Sequence, residues 1–458
     1  MMAMQLSDAA QVLDGRCNAA DVAFRGISTD SRKMASGELF FALQGPNFDG
    51  HDYLEAARAR GAAAAAVSRH CDTELPLLEV ADTRLALGRL AAHWRSRFEL
   101  PVIAVTGSNG KTTVRAMTAA ILAQCGRTLS THGNLNNDIG LPLTLARLGA
   151  DDRYAVVEMG ANHPGEIEYL TAITRPTVAI VTNAGPAHLE GFGDLEGVAR
   201  AKGELFAGLD PAGVAVINAD DRFAALWRGL AAHCEIMTFG IDNPADFQAE
   251  WQGDVAGSRI RLTTPAGDTV IQLPLPGRHN VMNALAAAAA AQAAGAGLDV
   301  IRAGLESLSP VSGRYHSHHL PGGVVVIDDT YNANPGSLQV ALEVLALAPG
   351  ATWLVLGDMG ELGDEEVALH RRAGEQARAA GVQRLYSLGE LARAASVAFG
   401  DRGRGCATLE ELLAVLRRDL AGPVHILVKG SRRMRMERVV EALCSGLHNK
   451  TATNGEDH

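Results

Sequence analysis

The amino-acid sequence predicts an α/β protein of three domains carried on mainly parallel sheets. Three observations predict it. Short apolar and β-branched runs alternate with helical patterns along most of the chain, the rhythm of parallel strands joined by helices. Polar and glycine-rich loops follow those runs, as expected where a parallel sheet offers the carboxyl ends of its strands to a ligand. The length, 458 residues, suffices for two to four domains.

The sharpest loop lies inside the second domain. Val102 to Thr106 read as a buried strand and Gly107 to Gly110 as a short turn. A helix follows, with Val114, Met117 and Ile121 on one face. Gly107, Ser108, Asn109, Gly110, Lys111, Thr112 and Thr113 spell G-x-x-G-K-T-T. Glycines let backbone N–H groups close around phosphate oxygens, and a helix N-terminus adds partial positive charge. Lys111 can reach the terminal phosphates of a nucleotide, and the Thr112 hydroxyl can hold magnesium. The general P-loop carries a Gly where Val105 stands, so this loop is shortened. A glycine turn alone is common in α/β proteins; Lys-Thr-Thr behind it makes nucleotide binding the better reading.

Residues 1–98 form the first domain. Glu38 to Leu43 and Ala63 to Ser68 read as strands, and Tyr53 to Arg60 as a helix. Two polar clusters punctuate them. One contains Ser28, Asp30, Ser31 and Arg32; the other contains Gly45, Asp49 and His51. Turn chemistry is the simpler explanation. The functional one is a pocket for a phosphorylated ligand, with hydroxyls, N–H groups and Arg32 donating.

Residues 99–311 form the second domain, a P-loop ATPase-like sheet with strands at Tyr154 to Met159, Val178 to Asn183 and Val214 to Asn218. Glu158 ends one strand, and a carboxylate beside a phosphate loop is a natural magnesium ligand. His188 follows the next strand and is equally readable as structural. Thr131 to Gly140 is a polar loop whose Asn134 and Asn137 can donate and accept. Lys202 lies on a helical run, where a solvated side chain is the ordinary expectation. Asn280 and Asn283 precede a long alanine-rich helix and share a face, or else cap it.

Residues 312–458 form the third domain. Val324 to Ile327, Thr352 to Leu356, Arg384 to Leu388 and His425 to Val428 read as strands of a Rossmann-like sheet. Each ends in a polar or glycine loop, and one of these holds Asp329, Tyr331, Asn332 and Asn334. Pro310 to Gly313 reads as a linker, with Arg314 just beyond it.

Composition narrows the class. A net charge of −11, with no dense basic block except Lys429 to Arg438, argues against nucleic acid as a partner. No apolar run is long enough to span a bilayer. Six scattered cysteines without a C-x-x-C pair suit buried thiols of a reducing compartment, so a cytoplasmic enzyme is expected. The tail Thr451 to His458 is expected to lack structure.

At the residues T-G-S-N-G-K-T-T (106–113), S-T-D-S-R (28–32), D-D-T-Y-N-A-N (328–334) and L-G-D-M-G-E-L-G (356–363) the chain resembles the Mur ligases. These are ATP-dependent amide-bond-forming enzymes of peptidoglycan synthesis. The resemblance spans nearly the whole chain and is closest to members that add D-alanyl-D-alanine to UDP-N-acetylmuramoyl-tripeptide. It implies that residues 1–98 bind the uridine nucleotide through Ser28 to Arg32 and the Gly45 to His51 loop. It implies ATP on residues 107–113, Asn280, Asn283, Arg314 and Asp329. Asn134, Asn137 and the third-domain loop would contact substrate. Lys202 matches a lysine carbamylated in most of the family, and Thr112, Glu158, His188 and Lys202 match the residues around two magnesium ions. The expected enzyme is a monomer. Its third domain would close over the second through the linker, so a ligand-free molecule could stand open with Arg314 far from the loop. The dipeptide carboxylate would take a cation from Arg432 or Lys429. Two alternatives share parts of this pattern: a folylpolyglutamate synthetase-like ligase, and an ATP-dependent switch without ligase chemistry.

Overall fold

The computed structural model describes residues 2–18, 21–186, 189–309 and 313–452. Its first sheet has five strands among the described residues: β1 (Arg16–Cys17), β2 (Ile27–Ser28), β3 (Leu39–Phe41), β4 (Ala64–Val67) and β5 (Leu77–Glu79), in the order β1-β5-β4-β3-β2. Helix α1 (Thr83–Arg95) leads from it to the second domain, capped by the Asp82 carboxylate.

The central sheet has nine described strands. They are β6 (Val102–Thr106), β7 (Thr128–Ser130), β8 (Tyr154–Glu158), β9 (Val178–Val181), β10 (Val214–Asn218), β11 (Glu235–Gly240), β12 (Phe247–Gly253), β13 (Ser258–Thr264) and β14 (Gly267–Leu273), in the order β7-β8-β6-β9-β10-β11-β12-β13-β14. Pairing is parallel from β7 to β12 and antiparallel beyond. Alternate residues of β6 enter different cores: Val102 and Ala104 face one side, Ile103 and Val105 the other. Helices cover both faces, so the central strands are apolar throughout. Helix α2 (Lys111–Ala123) follows β6, α3 (Leu195–Ala207) packs on one face, and α4 (Arg278–Ala293) packs on the other. The antiparallel extension β12 to β14 is absent from the sequence reading. Its half-exposed alternation, as in Arg259-Ile260-Arg261-Leu262, was the available signal.

The third sheet has six described strands: β15 (His316–Leu320), β16 (Val324–Asp329), β17 (Ala351–Gly357), β18 (Arg384–Leu388), β19 (Gly403–Cys406) and β20 (Val424–Lys429). Their order is β15-β16-β20-β17-β18-β19, parallel except for the edge strand β15. The doubly covered parallel core matches the Rossmann-like expectation.

Some expectations need correction. Asn280 and Asn283 sit inside α4 rather than before it. Of the cysteines only Cys406 is buried; Cys17 and Cys125 are exposed. The C-terminal helix Glu437–Ala452 takes in Thr451 and Ala452, the start of the supposed tail, and 453–458 lie outside the described residues. So do 310–312 of the linker and His188. The third domain is not swung away, because Arg314 and Asn334 both touch the phosphate loop.

Candidate active site

Two glycines set the phosphate loop. Gly107 has φ +147°, and a Cβ there would meet the Thr182 hydroxyl at 1.9 Å. Gly110 has φ +83°, and a Cβ there would meet Asn283 Oδ1 at 2.5 Å. Both positions therefore exclude a side chain. The loop is stapled to the end of β9: Ser108 N–H donates to the Asn183 carbonyl (3.0 Å) and Asn109 N–H to Asn183 Oδ1 (3.0 Å). Those two N–H groups are thus spent within the protein. The N–H groups of Lys111 to Thr113 begin α2, without intrahelical acceptors, and these three residues line the cleft. Lys111 folds back, its ammonium donating to the Gly107 carbonyl at 2.7 Å. Burial pushes the Lys111 pKa down, and Arg314 adds to that against the pull of Glu158.

Glu158 ends β8 and is only 3% exposed. Its Oε2 accepts the Thr112 hydroxyl at 2.8 Å, and its Oε1 accepts Asn136 Nδ2 at 2.8 Å. Arg115 lies beneath it, Nε at 3.4 Å from Oε2. Lys202, on α3, is 3% exposed rather than solvated. No described carboxylate pairs with it, and its ammonium lies 5.8 Å from the Phe192 ring centroid. Burial, reinforced by Lys111, lowers its pKa to about 7.

The third domain completes the wall. An Arg314 guanidinium N–H donates to the Thr112 hydroxyl at 3.0 Å, while the group stacks on Tyr331, 4.2 Å from the ring centroid. Asn334 Nδ2 donates to Asn109 Oδ1 at 3.1 Å. Asp329 is paired with Lys429, whose ammonium also donates to the Asn332 carbonyl at 3.0 Å. Burial pushes the Asp329 carboxyl up, and Lys429 and Arg314 oppose it. Lys429 thus ties β20 to the Asp329–Asn332 loop of its own domain, and both it and Arg432 line the cleft. Asn280 donates to the Pro276 carbonyl at 2.8 Å, and Asn283 turns toward Gly110.

These residues line one cleft of about 1400 Å³ between all three domains. Asn134 and Asn137 line it too, but the Asn137 carboxamide oxygen caps the next helix by accepting Gly140 N–H at 2.9 Å. The amide that reaches Glu158 is Asn136, which sequence reasoning missed; the signal was three neighbouring amides, with nothing to choose among them. Arg84 and Arg278 line the cleft as well, and the sequence reading named neither. The first-domain clusters lie outside this cleft's lining. Arg32 grips both Asp30 oxygens (2.9 and 3.0 Å), which holds the Asp30 carboxyl down at about 2. Ser28 accepts Asp30 N–H at 3.3 Å, and Ser31 is buried. Gly45 sits in a hairpin with Phe48. Asp49 accepts from Gln44, Arg69 and His51, and His51 Nε2 accepts Ser68 N–H at 3.0 Å. Among the described residues no three His, Cys, Asp or Glu side chains are grouped to hold a metal, and no helix is long and apolar enough to cross a membrane.

A shortened phosphate loop, a Thr–Glu pair beside it and a third domain laid across it define an ATP-dependent ligase architecture. Three family models match in chain order: Mur ligase family, catalytic domain, over 23–95; Mur ligase middle domain over 105–291; and Mur ligase, glutamate ligase domain, over 313–432. The chain belongs to the Mur ligase family. At the finer level it is 47% identical to the UDP-N-acetylmuramoyl-tripeptide–D-alanyl-D-alanine ligase of Escherichia coli K12, covering 97% of this chain and 99% of that one. It superposes on a crystal structure of MurF from Acinetobacter baumannii with a TM-score of 0.92, at 38% identity, covering 97% and 99% of the two chains. A second structure from that organism scores 0.89 at 37% identity, covering 97% and 98%. It bears the name UDP-N-acetylmuramoylalanyl-D-glutamyl-2,6-diaminopimelate–D-alanyl-D-alanyl ligase.

Proposed function

We propose that the chain joins D-alanyl-D-alanine to UDP-N-acetylmuramoyl-tripeptide at the expense of ATP, in the cytoplasm and as a monomer. Residues 1–98 take the uridine nucleotide, 99–311 the ATP phosphates, and 312–458 close on ATP and receive the dipeptide. The observation that carries this reading is the convergence of Lys111, Thr112, Glu158, Lys202 and Arg314 in one cleft, in a chain that matches UDP-N-acetylmuramoyl-tripeptide–D-alanyl-D-alanine ligases over 97% of its length.

The residues suit magnesium. Thr112 and Glu158 offer hydroxyl and carboxylate oxygens already within 2.8 Å of each other, the hard donors that this ion prefers. Lys202 as an ammonium would repel it. With a pKa near 7, much of Lys202 is free amine at neutral pH, able to take up carbon dioxide and release a proton. The resulting carbamate would supply oxygen ligands for a second ion. Bound magnesium would offset charge on the phosphate oxygens.

The terminal carboxylate of the tripeptide attacks the γ-phosphorus, ADP leaves, and an acyl phosphate forms. A free carboxylate is a poor acyl donor; the phosphate makes a leaving group. The dipeptide amine then adds, phosphate departs, and a proton is released with the new amide. Lys111 and Arg314 stand where charge develops on the transferred group. Asp329 and Asn283 line the same cleft and would contact the nucleotide, and the three domains would shield the intermediate from water. The test is product mass: with both substrates, ATP and magnesium, the UDP-pentapeptide should accumulate with one ADP each. ATP hydrolysis without a new amide would favour the switch reading.

A further inference from the structure

We propose that Arg84 and Asp138 read the side chain of the tripeptide's third residue, selecting one that ends in both an ammonium and a carboxylate. This rests on the ligase reading above and adds the choice among tripeptides. Arg84 stands on the first turn of α1, in the first domain; Asp138 belongs to the second-domain loop that carries Asn136. The guanidinium meets Asp138 through two nitrogens, Nε and a terminal one at 2.8 Å from Oδ1. Both residues line the active-site cleft, and the Arg84 side chain is 54% exposed.

The pair is therefore an open Arg–Asp couple at the cleft wall. A ligand zwitterion can replace each member's partner without leaving either charge alone. Its ammonium would pair with Asp138, and its carboxylate would take the planar fork of Arg84 bidentately. The place suits the third residue. Two positions before Asp138, Asn136 binds Glu158, so at most roughly 7 Å of backbone separates Asp138 from the residue that touches Glu158. The third residue carries the reacting carboxylate, and its side chain must reach outward from that point.

The surrounding charges sharpen the selection. Asp82 and Glu166 lie near enough to act on Arg84. Asp82 accepts two backbone N–H groups at the start of α1, and Glu166 accepts those of Asn162 and His163 with the His163 ring beside it. Tyr169 packs close, its buried phenol held protonated. Asp138, Asp82 and Glu166 all line the cleft and act on Arg84. A side chain ending in an ammonium alone finds acidic partners but takes Asp138 away from Arg84. One ending in a zwitterion, such as diaminopimelate, satisfies both.

The test compares kcat/KM for UDP-tripeptides ending in diaminopimelate and in lysine, at saturating ATP and dipeptide. The native protein should prefer diaminopimelate at least tenfold. Arg84→Met should erase that preference by raising the diaminopimelate KM, leaving kcat and the lysine substrate nearly unchanged. Arg84→Glu should turn the preference toward lysine. If Arg84 only ties the domains together, both substrates would suffer alike and the ratio would stay fixed; that outcome, or a native enzyme without preference, overturns the proposal. Failure of the native protein to ligate either tripeptide would instead overturn the ligase reading. An unchanged KM for ATP and an unchanged melting temperature show that each variant is folded; should Arg84→Met fail this, the ratio measured for Arg84→Glu decides.

Discussion

Replacing Arg314 by alanine tests how the third domain is held on the phosphate loop. The side chain makes one charge-assisted hydrogen bond to the Thr112 hydroxyl, at 3.0 Å, and one stack on Tyr331, at 4.2 Å. A hydrogen bond to a charged group contributes about 1.5–3 kcal/mol, and an exposed cation–π stack about 0.5–1 kcal/mol. Arg314 is partly open to solvent, so the low ends apply, about 2 kcal/mol together. That corresponds to a loss of roughly thirtyfold in kcat/KM for ATP. Arg314→Lys should recover little, because an ammonium neither stacks as a plane nor presents a fork. Steady-state kinetics with varied ATP give the magnitude. Small-angle scattering of the ligand-free variant should show a larger radius of gyration than the native protein. Native kinetics together with an unchanged radius would refute the idea that this contact holds the domains together.

Three further outcomes are expected. Lys111→Ala should abolish ligation while the circular dichroism spectrum stays native, since Lys111 lies on the cleft and contacts only loop carbonyls. With ¹³C-bicarbonate the native protein should give a carbamate resonance that Lys202→Arg lacks; a spectrum without it at saturating bicarbonate counts against the modified lysine. Burial depresses the His279 pKa from 6.5 to about 4, with Lys429 adding to the effect. The unfolded chain therefore binds a proton below pH 6.5 that the native state refuses until about pH 4. Stability should fall across that window by up to about 3 kcal/mol, and His279→Gln should flatten that limb in acid-unfolding curves.

The parts legible in the sequence are those where the backbone itself dictates the residue. Gly107 and Gly110 leave no room for a side chain, so the loop advertises itself. Strands β6, β10 and β18 have the bounds read from the sequence, because nearly all of their residues are buried on both faces. Features set by long-range packing were not legible. Lys202 reads as a solvated helical lysine until α3 is seen folded against Phe192. The choice of Asn136 over Asn137 depends on which amide reaches Glu158, and the sequence ranks them equally. Arg84 meets Asp138 across 54 positions, a separation no local pattern reveals. In the first domain the turn reading of the polar clusters describes their internal bonds well: Asp49 caps the short helix at Gly50–Tyr53 by accepting His51 N–H.

The central claim is that the tripeptide carboxylate passes through an acyl phosphate in this cleft. The most direct measurement places ¹⁸O in that terminal carboxylate and follows the label by mass spectrometry through one turnover with D-alanyl-D-alanine and ATP. The account predicts inorganic phosphate carrying one ¹⁸O and a pentapeptide amide that retains the other. A labelled pentapeptide amide formed alongside unlabelled phosphate, with the second heavy oxygen lost to water, would contradict it.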